Sequence, residues 1–319
     1  MHYDVFNGDA DGICALLQLR FAEPKESKLI TGVKRDIQLL KQVAVSDDTS
    51  SVTVLDISLE KNLEALHQLL TKDIDVFYCD HHRTGVIPSS NHLATQIDTA
   101  PEICTSLLIN SYLNDNEWLW ACVGAFGDNL LKQGNELAKS NGLSDEDIHF
   151  LKELGTLINY NGYGASLEDL HFHPAELYRN LYNYPNPIRL KEDPNSVFYQ
   201  LQSGFKQDWD NVENTDKYLE EDGFEVYIFP NQPWARRISG TFGNWLANQK
   251  PDKAFAVLTD NGESYTVSVR SPLNNREGAD EVCAQFETGG GRKAAAGINS
   301  LPKPDLEDFV RATRHRFGS

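Results

Sequence analysis

The sequence predicts an α/β protein: an N-terminal domain built on a parallel sheet, followed by a smaller C-terminal α/β domain. Three observations carry that expectation. Short apolar segments alternate with longer amphipathic ones through the first half of the chain. Several of the short segments run directly into acidic residues. After an interval rich in Pro and Asn, strand-like and helix-like segments resume.

The segments "YDVF" (3–6), "KLIT" (28–31), "VTVL" (52–55) and "VFYC" (76–79) fit buried strands. Between them, "GICALLQLRFA" (12–22) and "LEKNLEALHQLLT" (59–71) have helical periodicity. Strands alternating with helices argue for a parallel sheet covered on both faces. "EICTSLLINSYL" (102–113) and "SDEDIHFLKELGTLI" (144–158) extend the helical part, and Ser144 three residues before Asp147 reads as an N-cap. These elements make a first domain over 1–160. From 161 to 222 the pattern degrades into a connector containing "YNYPNPIRLKEDPNS". In 223–319, "FEVYIF" (224–229), "AFAVLT" (254–259) and "YTVSVR" (265–270) read as strands, with helices over 236–248 and 306–317.

Bulk properties narrow the function. At 319 residues, two domains are the default, and 40% hydrophobic with 24% charged residues is ordinary for a soluble protein. No apolar run approaches the roughly 20 residues of a membrane span, and "MHYDVFNGDADG" does not read as a secretory signal. Five scattered cysteines without CxxC spacing argue against disulfide or zinc frameworks and favour a reducing cytoplasm. The net charge is −18, with 47 acids against 29 bases. A protein that grips long DNA or RNA presents a basic stripe; here a small phosphorylated ligand held locally is the expectation.

The acids are placed, not scattered. "YDVF" leads into Asn7-Gly8-Asp9-Ala10-Asp11-Gly12, "VTVL" into Asp56, and "VFYC" into Asp80-His81-His82, while Asp128 follows "WLWACVGAFG". In an open parallel sheet, ligands bind beyond the carboxyl ends of the strands, so these groups can converge in one crevice. Taken singly, Asp56 reads as a helix N-cap before "ISLEKN". Taken together, Asp9, Asp11, Asp56, His81 and Asp128 form an oxygen-rich set with an imidazole, suited to Mn²⁺ or Mg²⁺. Carboxylates crowded within a few ångströms repel one another, and divalent cations relieve that cost.

In order, "NGDADG", "LDIS", "CDHH" and "GAFGDN" resemble the four motifs of the DHH phosphoesterase superfamily. "YTVSVRS" (265–271) and "TGGGRKAAAG" (288–297) resemble its DHH-associated C-terminal domain, so the likeness spans residues 7 to 297. The family includes RecJ-type exonucleases, nanoRNases with adenosine-bisphosphate phosphatase activity, and cyclic-dinucleotide phosphodiesterases. The resemblance implies two Mn²⁺ ions, with Mg²⁺ as the alternative metal. Asn7, Asp9 and Asp56 would hold the first, and Asp56, Asp11, His81 and Asp128 the second. It further implies a catalytic His82 facing the phosphate and an Asp80 that orients an imidazole. Asn7 stands where many members have His or Asp, and Arg292 where many have His. An arginine keeps a phosphate donor but is no acid near neutral pH.

From the second domain, Ser268, Arg270, Gly289, Gly290, Gly291 and Arg292 would bind substrate, because glycines let an anion approach backbone N–H groups. Read without the family, the same stretch is a glycine turn before a short Ala helix. His171 and His173 in "LHFHP" have HxH spacing but read as connector residues. The expected protein is thus a cytoplasmic, metal-dependent phosphodiesterase with its site in an interdomain cleft. It would cleave very short oligoribonucleotides or linear dinucleotides such as pGpG, without long nucleic acid or membrane partners, and with a homodimer allowed. Adenosine-bisphosphate phosphatase, cyclic-dinucleotide phosphodiesterase, RecJ-like single-strand exonuclease and non-catalytic nucleotide sensor are the alternatives.

Overall fold

The sheet of the first unit is wholly parallel, and its strand order reverses once. This computed structural model describes residues 1–46, 48–212 and 215–318, and the chain forms two compact units, 1–204 and 205–319. Asp47, Glu213, Asn214 and Ser319 lie outside the described residues; of these, Glu213 and Asn214 belong to the expected connector and Ser319 to the expected second domain.

In the first unit, β1 (His2–Phe6), β2 (Lys28–Ile30), β3 (Ser51–Leu55), β4 (Asp75–Asp80) and β5 (Leu93–Ile97) lie in the order β2-β1-β3-β4-β5. Each expected strand is present, and β5 is an additional edge strand. The chain runs outward to β2, then crosses back past β1 to β3. That reversal makes β1/β3 the switch point at which such sheets bind ligands. Alternation along the strands splits the core. Tyr3, Val5, Val52, Val54, Val76 and Tyr78 pack with α2 (Lys41–Ala44) and α3 (Leu59–Leu70). Helix α1 (Ala10–Ala22) packs with α4 (Thr105–Tyr112), α5 (Trp118–Gly127) and α7 (Asp145–Asn161), with α6 (Leu131–Ser140) against α5. Ser144 caps α7, its Oγ accepting the Asp147 N–H at 3.2 Å.

The interval 161–222 contains helices. Residues up to 204 belong to the first unit, including α8 (Pro174–Leu181), and α9 (Val197–Val212) runs across the boundary. His173 caps α8 by accepting the Ala175 N–H at 3.1 Å, and His171 Nε2 lies 2.7 Å from the Tyr160 hydroxyl. Both histidines therefore serve structure.

The second unit carries β6 (Lys217–Glu220), β7 (Phe224–Phe229), β8 (Ala254–Asp260), β9 (Ser264–Arg270), β10 (Gly289–Gly291) and β11 (Ala295–Pro302), in the order β10-β11-β9-β8-β7-β6. Among its described strand pairs only β7–β8 is parallel. One face, with Phe224, Val226, Val267, Val269 and Ile298, packs on α11 (Ala279–Cys283) and α12 (Leu306–Phe317) through Val282 and Phe309. Helix α10 (Pro233–Gln249) lies against β8 and β9, and its Phe242 meets Tyr227 and Phe229 of β7. All five cysteines are buried and no disulfide joins them. Among the described residues no helix is long and apolar enough to cross a membrane.

Candidate metal centre

Register alone puts the strand tips in a row. Phe6 pairs with Leu55 and Leu55 with Cys79, so the next residues along the three strands are Asn7, Asp56 and Asp80. The turn after β1 stays tight because Gly12 is seated against Asn7: a Cβ there would come 2.3 Å from the Asn7 carbonyl oxygen. Asp9 then caps α1, its Oδ1 accepting the Gly12 N–H at 3.1 Å. Asp56 leaves β3 with φ +59°, in the left-handed region where Asp is among the few tolerated side chains. It is not the N-cap of α3, a position held by Ser58.

Asp56 and His81 face each other. His81 Nδ1 lies 2.8 Å from the Ile103 carbonyl, which fixes that nitrogen as the donor and turns the Nε2 lone pair inward. Nε2 is 3.3 Å from Asp56 Oδ1 and 3.7 Å from Asp11 Oδ2. Asp11 also anchors α4, accepting the Thr105 and Ser106 N–H groups at 2.7 Å each. Thr105 Oγ1 donates to Asp56 Oδ1 at 3.2 Å. Burial, then the charges of Asp11, Asp9, Asp80 and Asp128, push the Asp56 carboxyl well above its usual range. Two acceptor atoms facing one another among buried carboxylates want a cation between them, so the residues present fit a divalent ion here.

His82 stands beside this pair. Its Nδ1 is 2.7 Å from Asp80 Oδ1 and its side chain is 29% exposed, whereas those of Asp56 and His81 are each 2% exposed. Donor atoms of Asp56, His81 and His82 all lie within 4.8 Å of one another. Asp80 is fully buried, and its Oδ2 has no hydrogen-bond partner among the described residues. Asp128 ends α5 and is half-buried, with its charge felt by Asp9, Lys34 and Asp56.

The largest surprise is Lys34. Its Nζ contacts Asp9 Oδ2 and lies 3.0 Å from Asn159 Oδ1. Burial would raise the Asp9 carboxyl, but the Lys34 ammonium outweighs it and holds the group below its usual range. Asn7 Nδ2 donates to the Lys34 carbonyl at 3.3 Å, while the buried Asn7 Oδ1 has no partner among the described residues. Asp56 directly follows "VTVL", whereas Lys34 lies three residues beyond "KLIT", so the rule that found the acids did not reach it. Asn159 and the Ile103 carbonyl carried no signal either.

In the second unit, Arg270 is braced: Nε donates to Asn244 Oδ1 at 2.6 Å and Nη1 to Ser268 Oγ at 2.9 Å. The glycine stretch does not precede a helix. Gly289, Gly290 and Gly291 form edge strand β10, and Arg292 pairs with Ala295 across the hairpin into β11, so Ala295 and Ala296 are extended.

No protein-family model and no curated protein matches the chain. Solved structures do, along nearly its whole length. RecJ of Thermus thermophilus in complex with Mn²⁺ is 15% identical, with a TM-score of 0.60 over 98% of this chain and 51% of that one. This chain therefore spans about half the length of that RecJ. An exopolyphosphatase-related protein from Bacteroides fragilis is 14% identical, with TM-score 0.51, covering 98% of this chain and 91% of its own. The pGpG-specific phosphodiesterase PggH from Vibrio cholerae is 10% identical, with TM-score 0.51 and 97% of each chain covered. At such identities the likeness is one of fold, and that fold, a parallel-sheet unit followed by a mixed-sheet unit, is the one the four motifs implied: the fold of the DHH phosphoesterases.

Proposed function

We propose that the chain is a divalent-metal-dependent phosphodiesterase that hydrolyses very short oligoribonucleotides or linear dinucleotides, such as pGpG, to mononucleotides. The observation that carries this reading is the facing pair of Asp56 Oδ1 and His81 Nε2, 3.3 Å apart at the sheet's switch point. A divalent cation held there, Mn²⁺ or Mg²⁺, supplies Lewis acidity toward water and a phosphoryl oxygen. Asp56, His81 and Asp128 hold it. Asp11 keeps α4 against the strand tips through the Thr105 and Ser106 amides. Asp80 fixes the His82 ring, and His82, the most accessible of the three clustered side chains, contacts the phosphoryl oxygens and can hold a proton there. In the second unit, Ser268, Arg270, Gly289, Gly290, Gly291 and Arg292 are the candidate substrate contacts, with Arg270 oriented in advance by Asn244 and Ser268.

The purified chain incubated with Mn²⁺ should convert pGpG to mononucleotides. Preferential release of inorganic phosphate from an adenosine bisphosphate would move the assignment to a phosphomonoesterase. Cleavage of cyclic dinucleotides in preference to linear ones would move it to a cyclic-dinucleotide phosphodiesterase. Nucleotide binding without any product would leave a sensor.

A further inference from the structure

A first ion on Asn7, Asp9 and Asp56 would need room that the chain has already filled with charge. Asp9 spends Oδ1 on the Gly12 N–H at 3.1 Å and Oδ2 on the Lys34 ammonium. Lys34 is held from its other side by Asn159 Oδ1 at 3.0 Å, and its ammonium lies 5.4 Å from the centroid of the Tyr163 ring. At Asn7 the arriving ion would meet a neutral amide, a weaker donor than a carboxylate or imidazole. The Asp56–His81 side is different: two acceptors face each other there, with the neutral Thr105 hydroxyl beside them.

We propose that Lys34 supplies, from within the chain, the positive charge that one of two metal ions would otherwise bring, so that the strand-tip cluster takes a single divalent cation on the Asp56–His81 side. The like charge of the ammonium, a few ångströms away, opposes entry of a second dication. A lysine neutralises Asp9 without needing metal supply, but it offers no coordination position, so the work of polarising water falls on the one cation that remains. This inference rests on the reading of Asp56 and His81 as cation ligands and is independent of which substrate is cleaved.

The test is the number of ions bound. The full-length protein is dialysed to equilibrium against Mn²⁺, its metal content is measured by mass spectrometry, and its electron paramagnetic resonance spectrum is recorded. Wild type should hold one Mn²⁺ per chain, with the six-line spectrum of an isolated ion. Lys34→Met should hold two, with the spectrum broadened by coupling between them. Asp9→Asn should still hold one. Two ions in the wild type, loss of an ion in Asp9→Asn, or a folded Lys34→Met that keeps one ion would each overturn the proposal. Should Lys34→Met not fold, the wild-type and Asp9→Asn counts decide the matter. A wild type that binds no Mn²⁺ sinks the cation site itself and this inference with it. One bound ion without dinucleotide cleavage refutes only the substrate.

Discussion

Asp56 joins a backbone constraint to an electrostatic one. Its φ of +59° is tolerated by Asn but resisted by Ala, and its charge is opposed by burial and four neighbouring carboxylates. Asp56→Asn should therefore raise the melting temperature of the metal-free protein while abolishing the stabilisation that Mn²⁺ gives wild type. Turnover should fall by about 100-fold or more, the scale seen when a charge-stabilising group is removed from an active site. Asp56→Ala should lose the same functions and melt below Asp56→Asn, because the left-handed backbone costs Ala roughly 1–2 kcal/mol. Thermal melts with Mn²⁺ and with chelator check the stabilities, and a turnover assay checks the rate; a metal-free Asp56→Asn that melts below wild type would contradict the account. Asp9, Asp11, Asp56 and Asp80 were legible in the sequence because they stand at or just beyond the ends of apolar runs that form strands, and Asp128 because it ends the apolar stretch that forms α5. Lys34 escaped notice because its partners, Asp9 and Asn159, come from other elements and meet it only once the sheet has formed.

At the scale of elements, the β1–α1 pair is pinned at the end opposite the site. Arg20 of α1 donates to Asp4 of β1 through Nε at 2.9 Å and Nη2 at 2.6 Å, and Ser27 Oγ adds a hydrogen bond of 2.6 Å. Burial alone would raise the Asp4 carboxyl; the hydrogen bonds from Arg20, helped by His2 and Ser27, outweigh it and bring it to about 2. Because the folded pKa lies below the ordinary value, this stabilisation is complete above about pH 4 and is lost as the pH falls toward 2. It amounts to on the order of 2 kcal/mol. Arg20→Met should destabilise the protein by about 3–5 kcal/mol at neutral pH, since it leaves a buried carboxylate unpaired. Urea melts at neutral pH and at about pH 2.5 should show the gap between wild type and Arg20→Met narrowing in acid; a constant gap would remove Asp4 as the cause. Other elements were harder to read. Strand β5 has no buried residue to mark it, being half-buried or exposed throughout. The stretch "GGGRKAAAG" suggests a helix by its alanines, yet pairing with β9 holds Ala295 and Ala296 extended. Within 161–222, Pro and Asn begin and cap helices, as Asn186 does by accepting the Ile188 N–H at 3.0 Å, which a composition rich in turn-forming residues hides.

For the whole molecule, a net charge of −18 sets the reach of the substrate. Phosphates beyond the local contacts meet excess negative charge without the basic track that long-strand enzymes use. Hydrolysis should be fastest on dinucleotides and fall steeply along a ladder of end-labelled RNA from two to about ten nucleotides. Equal rates along that ladder would return the RecJ-like exonuclease to first place. The buried cysteines give both units a built-in chemical clock. Burial pushes the thiols of Cys14, Cys79 and Cys104 well above their usual range and that of Cys122 to about 12, so none presents a reactive thiolate near neutral pH. Four cysteines report on the first unit and Cys283 alone on the second. Under a gentle alkylating reagent, the native chain should keep its mass. During denaturation, mass steps of four labels and of one label then time the opening of each unit separately, with no probe added to the protein.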